Sequence, residues 1–245
     1  MEKLFVYVSL IGAVILGGII VSYLHAANKN KFIKLMLSFS GGFLLAIAFT
    51  HFVPELYSSS TKNIGLFILL GFLIQLLLEF FSGGIEHGHV HVHKGQKMPW
   101  GLFISLSVHS LLEGIPLGNH YSGFEIAHAH QHGGSDNSLL FGILFHQLPV
   151  AVALMTLLLN TNLSKLNAWL VLIAFSIMTP LGLTFGLISK NASNFLDFNM
   201  ILAIVVGMFL HISTTIIFET SENHKFNILK LTSILIGCTL AFLMN

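Results

Sequence analysis

The chain is predicted to be an all-α membrane protein of eight transmembrane helices, and three observations carry that prediction. Hydrophobic residues make up 54% of its 245 residues, charged residues only 9%, and the mean hydropathy is +0.84. A soluble domain usually has about a quarter of its residues charged. The apolar residues are gathered into repeated runs of about 20, the length that crosses a hydrocarbon core about 30 Å thick. Charged and loop-forming residues fall between those runs. The net charge of +1 indicates no nucleic-acid partner. The one cysteine, Cys238, lies in an apolar stretch, so neither an intrachain disulfide nor a multi-cysteine zinc cluster is available.

The first helix is expected at 4–25. It follows Met1-Glu2-Lys3, which lacks a strongly basic segment and a clear cleavage site, so it reads as a retained span. The second, 35–57, carries His51 and Glu55 toward its far end. The third, 64–84, carries Glu79 near its end. The fourth, 100–119, contains His109, Ser110, Glu113 and Pro116, and the fifth, 138–160, contains His146, Gln147 and Pro149. The sixth is expected at 166–189, the seventh at 199–219 with His211 and Glu219, and the eighth at 227–244. Most connections are short and polar. Two are longer and rich in histidine: 85–98, with His87, His89, His91 and His93, and 120–137, with His120, His128, His130 and His132. No linker divides the chain, so residues 1–245 are read as one domain.

Lysine placement sets the orientation, because cytoplasmic loops carry the excess of basic residues. With the N-terminus outside, the cytoplasmic segments hold Lys29, Lys31, Lys34, Lys94, Lys97, Lys165, Lys225 and Lys230. The opposite side holds Lys3, Lys62 and Lys190. Both termini are therefore expected outside, with the 85–98 loop cytoplasmic and the 120–137 loop external.

Ionisable groups inside apolar spans are costly and need a reason to be there. His109 and Glu113 are four residues apart, which stacks them on one helical face. At a rise of about 1.5 Å per residue, His109 and His146 both lie roughly 12–14 Å deep, near the bilayer centre. Two imidazoles and a carboxylate at one depth suit zinc or another first-row divalent ion. Pro116 and Pro149 each follow a candidate ligand by three residues and each frees a carbonyl one turn earlier. Freed carbonyls at membrane depth are tolerated where they line a cavity. A structural role in hydrogen bonding within the bundle is the competing reading for any one histidine.

These residues resemble the ZIP (Zrt/Irt-like) metal transporters. The fourth-helix pattern is His109-Ser110-Leu111-Leu112-Glu113-Gly114, and the fifth-helix pattern is His146-Gln147-Leu148-Pro149. Gly41-Gly42-Phe43-Leu44-Leu45-Ala46 through His51-Phe52-Val53-Pro54-Glu55, Glu79 and Thr179-Pro180-Leu181-Gly182 are also similar to the family. The resemblance spans all eight helices. It implies a 3+2+3 arrangement, with the first and last three helices related as inverted repeats around helices 4 and 5, and it favours import and a homodimer. Where the family uses a two-metal centre, this chain has Ser110, Gln147 and then Val150-Ala151, a poor second cation site. One principal site is expected, from His109, Glu113 and His146, with its fourth ligand water, Gln147 or a group from the second helix.

The expected function is passage of a divalent metal, Zn2+ first and Fe2+, Mn2+ or Cd2+ as other cargoes, toward the cytoplasm, with no resident cofactor. His51 and Glu55 are candidates for the way in, His211 and Glu219 for the way out. The Glu86–His93 tract, with alternating histidines, is a candidate cytosolic sensor or buffer. Low pH should weaken binding by protonating the histidines. Two other classes are weighed. An intramembrane zinc-dependent hydrolase would use the same ligands to activate water, but there is no His-Glu-x-x-His pair and no evident partner for Ser110. A metal-sensing receptor rests only on the external histidine loop. The expected location is a bilayer, the inner membrane of a bacterium.

Overall fold

A computed structural model describes residues 2–23, 29–82, 97–121, 137–189, 197–219 and 228–244. The described residues are built almost wholly of helices. We number them by span: α1 is Glu2–Tyr23, α3 Ile64–Ser82, α4 Trp100–Tyr121, α5 Ser138–Asn160, α7 Phe198–Glu219 and α8 Ile228–Leu243. α2 runs Lys29–Ile47, passes through a π turn at Ala48–Phe52 and resumes as Val53–Ser58. α6 is two halves, Lys165–Ser176 and Met178–Ser189. Seven of these spans are long and apolar enough to cross a membrane, and α8 is a shorter apolar helix.

The irregularities follow from proline. Pro180 has no N–H to give the carbonyl of Ser176 and its ring crowds that carbonyl, so α6 breaks one turn earlier, at Ile177. Pro54 acts likewise on α2, where the helix widens to the π turn that carries His51. α2 also begins six residues before the position expected from hydropathy. Its first turns include Lys31 and Lys34, whose long apolar stems can lie along the bundle while the ammonium reaches outward. By contrast α4 and α5 continue through Pro116 and Pro149.

Each helix has its main partner far away in sequence. α1 packs on α5, α2 on α8, α3 on α7 and α4 on α6; α2 also touches α5 and α7, and α3 touches α4. Lipid tails are as apolar as leucine, so such pairs are held by close packing and by interhelical hydrogen bonds. Glycine supplies the closeness. A methyl group added at Gly114 or Gly118 of α4 would overlap the backbone carbonyls of Thr179 or Leu183, and one at Gly182 or Gly186 of α6 those of Leu111 or Ile115. Gly71 and Gly207 meet the facing backbone in the same way between α3 and α7. Hydrogen bonds add to this: the Tyr7 and Thr184 hydroxyls are 2.7 Å apart across α1 and α6, and Ser233 Oγ of α8 donates to the carbonyl of Leu35 on α2 at 2.8 Å.

The core is layered. One apolar cluster contains Phe43, Leu44 and Ile47 of α2, Leu117 of α4, Leu139, Leu140 and Ile143 of α5, and Leu202 to Phe209 of α7. A second contains Ile33 and Leu37 of α2, Leu102 and Leu106 of α4, the stretch Val150–Leu158 of α5, and Ile212 and Ile216 of α7. Along α2, α4, α5 and α7 the residues between the two clusters include the polar ones: Ser40, His109, Ser110, Glu113, His146, Gln147 and His211, all buried. The fold is thus a polar layer held between two apolar ones.

Candidate metal centre

α4 and α5 bring the predicted ligands together in that layer. His109 and Glu113, one helical turn apart on α4, and His146 on α5 each offer a ligand atom, and the three atoms lie within 4.8 Å of one another. Exposure is 2% for His109, 0% for Glu113 and 1% for His146, so the group is closed to solvent. The two imidazole rings are 5.7 Å apart and nearly perpendicular.

The protonation pattern identifies the atoms that face one another. Nδ1 of His109 lies 2.8 Å from Oε1 of Gln75 on α3, and the amide oxygen can only accept, so Nδ1 carries the hydrogen. The lone pair of a neutral His109 is then on Nε2, which lies 2.8 Å from Glu113 Oε1. Two acceptors do not hold that approach unaided; a proton or a cation must offset their repulsion. Neither carboxylate oxygen of Glu113 has a hydrogen-bond donor, although both are buried. A buried carboxylate left in this way is strongly unfavourable unless a positive charge joins it. Nδ1 of His146 lies 3.3 Å from the Ser40 hydroxyl of α2, and when that hydroxyl accepts, the buried Nε2 carries the lone pair of the second imidazole ligand. The donor set of two imidazoles and one carboxylate is that of a zinc site with a place for a further ligand.

Gln147 and Ser110 flank these residues. Gln147 Nε2 donates to Thr179 Oγ1 on α6, and its Oε1 is buried with no hydrogen-bond partner. Ser110 is buried on α4. Of the residues considered for the way in, His51 and Glu55 approach to 3.9 Å and are partly exposed. His211 of α7 forms a close pair, through Nε2, with Glu79 Oε2 of α3, and its ring meets Phe72 edge-on at 4.6 Å between centroids. Glu219 is the last residue of α7. His87, His89, His91 and His93, and His128, His130 and His132 of the second histidine-rich connection, lie outside the described residues.

Sequence reasoning missed Gln75 and Ser40, and it noted Glu79 without its partner. Gln75 had a visible signal: it is an amide in the otherwise apolar run of α3, one turn before Glu79. Ser40 had none, since serine is ordinary among small residues in membrane helices.

A helical bundle with long apolar spans and a sealed His/Glu group in its middle defines a class: an integral membrane protein whose interior could hold a metal ion. The chain belongs to the ZIP zinc transporter family, whose model, described as ZIP Zinc transporter, matches residues 83–245. The matched segment takes in α4 to α8. Members of this family are transporters and not enzymes, which removes the hydrolase reading. The chain is also similar to Protein zntD of Dictyostelium discoideum, at 24% identity over 168 residues, covering 62% of this chain and 23% of the relative. The match therefore takes in about a quarter of that relative's length.

Proposed function

We propose that this protein carries a divalent transition metal ion, zinc foremost, across the membrane toward the cytoplasm, bound on the way by His109, Glu113 and His146. The observation that carries the reading is the cluster itself: three ligand atoms within 4.8 Å, fully buried, in a polar layer between two apolar ones. Membership of the zinc transporter family supports the same cargo. Iron, manganese and cadmium fit the same donors. Gln147 Oε1, a buried carbonyl oxygen beside His146, is the fourth ligand we assign. Ser110 supplies no charge, so one principal ion is held and not two. His51 and Glu55 receive the ion on the outer side, His211 with Glu79 pass it on the inner side toward Glu219, and the histidines at 87–93 buffer it in the cytosol.

The pairing of helices supports an inverted repeat of 3+2+3 form. Exchanging α1, α2 and α3 with α6, α7 and α8, and α4 with α5, maps the α2–α8 contact onto α7–α3 and the α1–α5 contact onto α6–α4. The lysine bias supports both termini outside. A bacterial inner membrane and a homodimer complete the proposal.

The test is metal flux into proteoliposomes of purified protein, with His109→Ala and His146→Ala beside the wild type. Zinc accumulation that is lost in both variants is the expected result. No flux of any divalent metal through folded, inserted protein would sink the proposal.

A further inference from the structure

The two histidines of the cluster turn their second ring nitrogen toward helices that carry none of its ligands. Nδ1 of His109 faces Gln75 Oε1 of α3 at 2.8 Å, and Nδ1 of His146 faces Ser40 Oγ of α2 at 3.3 Å. The ligand-bearing helices pack mainly on α6 and α1, whereas α3 and α2 pack mainly on α7 and α8. We infer that Gln75 is the positioning residue of the metal site: it holds His109 in the Nδ1–H form, so that Nε2 takes the ion, and it does so from the neighbouring group of helices. The inference rests on reading His109, Glu113 and His146 as the ligands.

The chemistry follows from the donor count. A neutral imidazole has one N–H, and an acceptor at one nitrogen draws it there, which leaves the other nitrogen's lone pair for a metal and raises its basicity. An amide oxygen does this without adding a buried charge. Gln75 is 0% exposed in a helix whose other residues are nearly all apolar. An amide at that depth is unfavourable unless bonded, so its retention points to the bond it makes. Ser40 plays the companion part on His146 with a longer contact and a hydroxyl that can donate or accept.

The placement has a mechanical consequence. Gln75 reaches His109 only while α3 lies against α4 in this register. If the two helix groups shift past each other, the acceptor leaves Nδ1, the ring loses its fixed orientation and the site loosens. Gln75 therefore ties ligand geometry to the arrangement of the bundle, giving tight binding in one arrangement and weaker binding in another.

The test uses the full chain in detergent micelles or nanodiscs, titrated with zinc alone, together with 15N histidine spectra of the zinc-loaded protein assigned by difference against His109→Ala. In the wild type, His109 should show a protonated Nδ1 and a metal-bound Nε2. Gln75→Met fills the same space without an acceptor and should weaken zinc binding about 10–100-fold. Gln75→Glu still accepts from Nδ1 and should bind at least as tightly as the wild type. Metal on Nδ1 of His109 in the wild type overturns the inference, even if both Gln75 variants fail to fold. Gln75→Met binding zinc as well as the wild type overturns it too, provided His109→Ala has lost binding. Unchanged binding in His109→Ala overturns the reading of the site itself, which separates the two failures.

Discussion

Glu113→Gln should make the protein more stable without zinc and less stable with it. Glu113 is 0% exposed, both of its oxygens are buried without a hydrogen-bond donor, and His109 Nε2 lies 2.8 Å from Oε1. Without metal, that carboxylate is held only by a proton shared with His109, a buried pair whose desolvation cost offsets much of its attraction. Gln keeps the shape, removes the charge and offers an amide N–H to the Nε2 lone pair of a neutral His109, so no charged partner is left behind; exchanging a buried charged pair for neutral groups of similar volume is neutral or gains up to about 1–4 kcal/mol. For a chain of this size each kcal/mol moves the midpoint by about 2–4 °C. With zinc at about a thousand times its Kd, the wild type gains roughly 4.1 kcal/mol by mass action, above the upper end of that gain from neutral groups. The variant, lacking the one anionic ligand, should gain almost nothing at the same zinc concentration. Thermal unfolding in detergent, followed by the fluorescence of Trp100 and Trp169, should thus give two orders of stability that reverse between chelator and zinc. A variant that is less stable in chelator would show that the carboxylate serves the fold. An equal zinc-dependent shift in both proteins would show that it is not a ligand. Either result refutes the reasoning.

Two further outcomes follow from the same structure. Zinc binding should weaken as pH falls, because protons compete with the metal for imidazole nitrogen. The sign is fixed because His109 and His146 bind metal only in the neutral form, and each displaced proton adds about a factor of ten per pH unit; calorimetric titration at several pH values measures the slope. Gly182→Ala should disrupt the α4–α6 contact, because its methyl overlaps the carbonyl of Leu111, whereas Gly12, with nothing within 4 Å of the added atom, should accept Ala. At Gly12 the change should be neutral or stabilise by up to about 1 kcal/mol; comparing the monodisperse yield of the two variants after heating checks the contrast.

The spans were legible because hydrophobic length is a strong local signal, and helix boundaries from hydropathy fell within a few residues for α3, α4, α5 and α7. The break at Ile177 was less visible, since it lies one turn before Pro180 with only Ser176 and Thr179 to interrupt the apolar residues around it. In the site, the His109–Glu113 pair is encoded by a spacing of four on one helix and can be read directly. His146 could be placed by depth alone. Gln75 and Ser40 could not be assigned a partner, because which face of α3 meets α4 depends on glycine contacts between α3 and α7. The Glu79–His211 pair was hidden for the same reason, with its members on helices that are distant in the chain and adjacent in space.

The pairing of distant helices also bears on how the protein is made. A ribosome delivers the helices in order, and at about 5–20 residues per second, α2 waits roughly ten to forty seconds for α8. During that interval Gly42 of α2, which packs against the backbone at Ile234, has no partner from its own completed fold. α4 likewise brings Glu113 and His109 toward the bilayer before α6 has been synthesised. The nascent chain must therefore hold its polar segment in a provisional setting, sheltered by neighbours such as α3 or by the insertion machinery. Among the described helices Ile228–Leu243 is the last to be made, and it packs over α2.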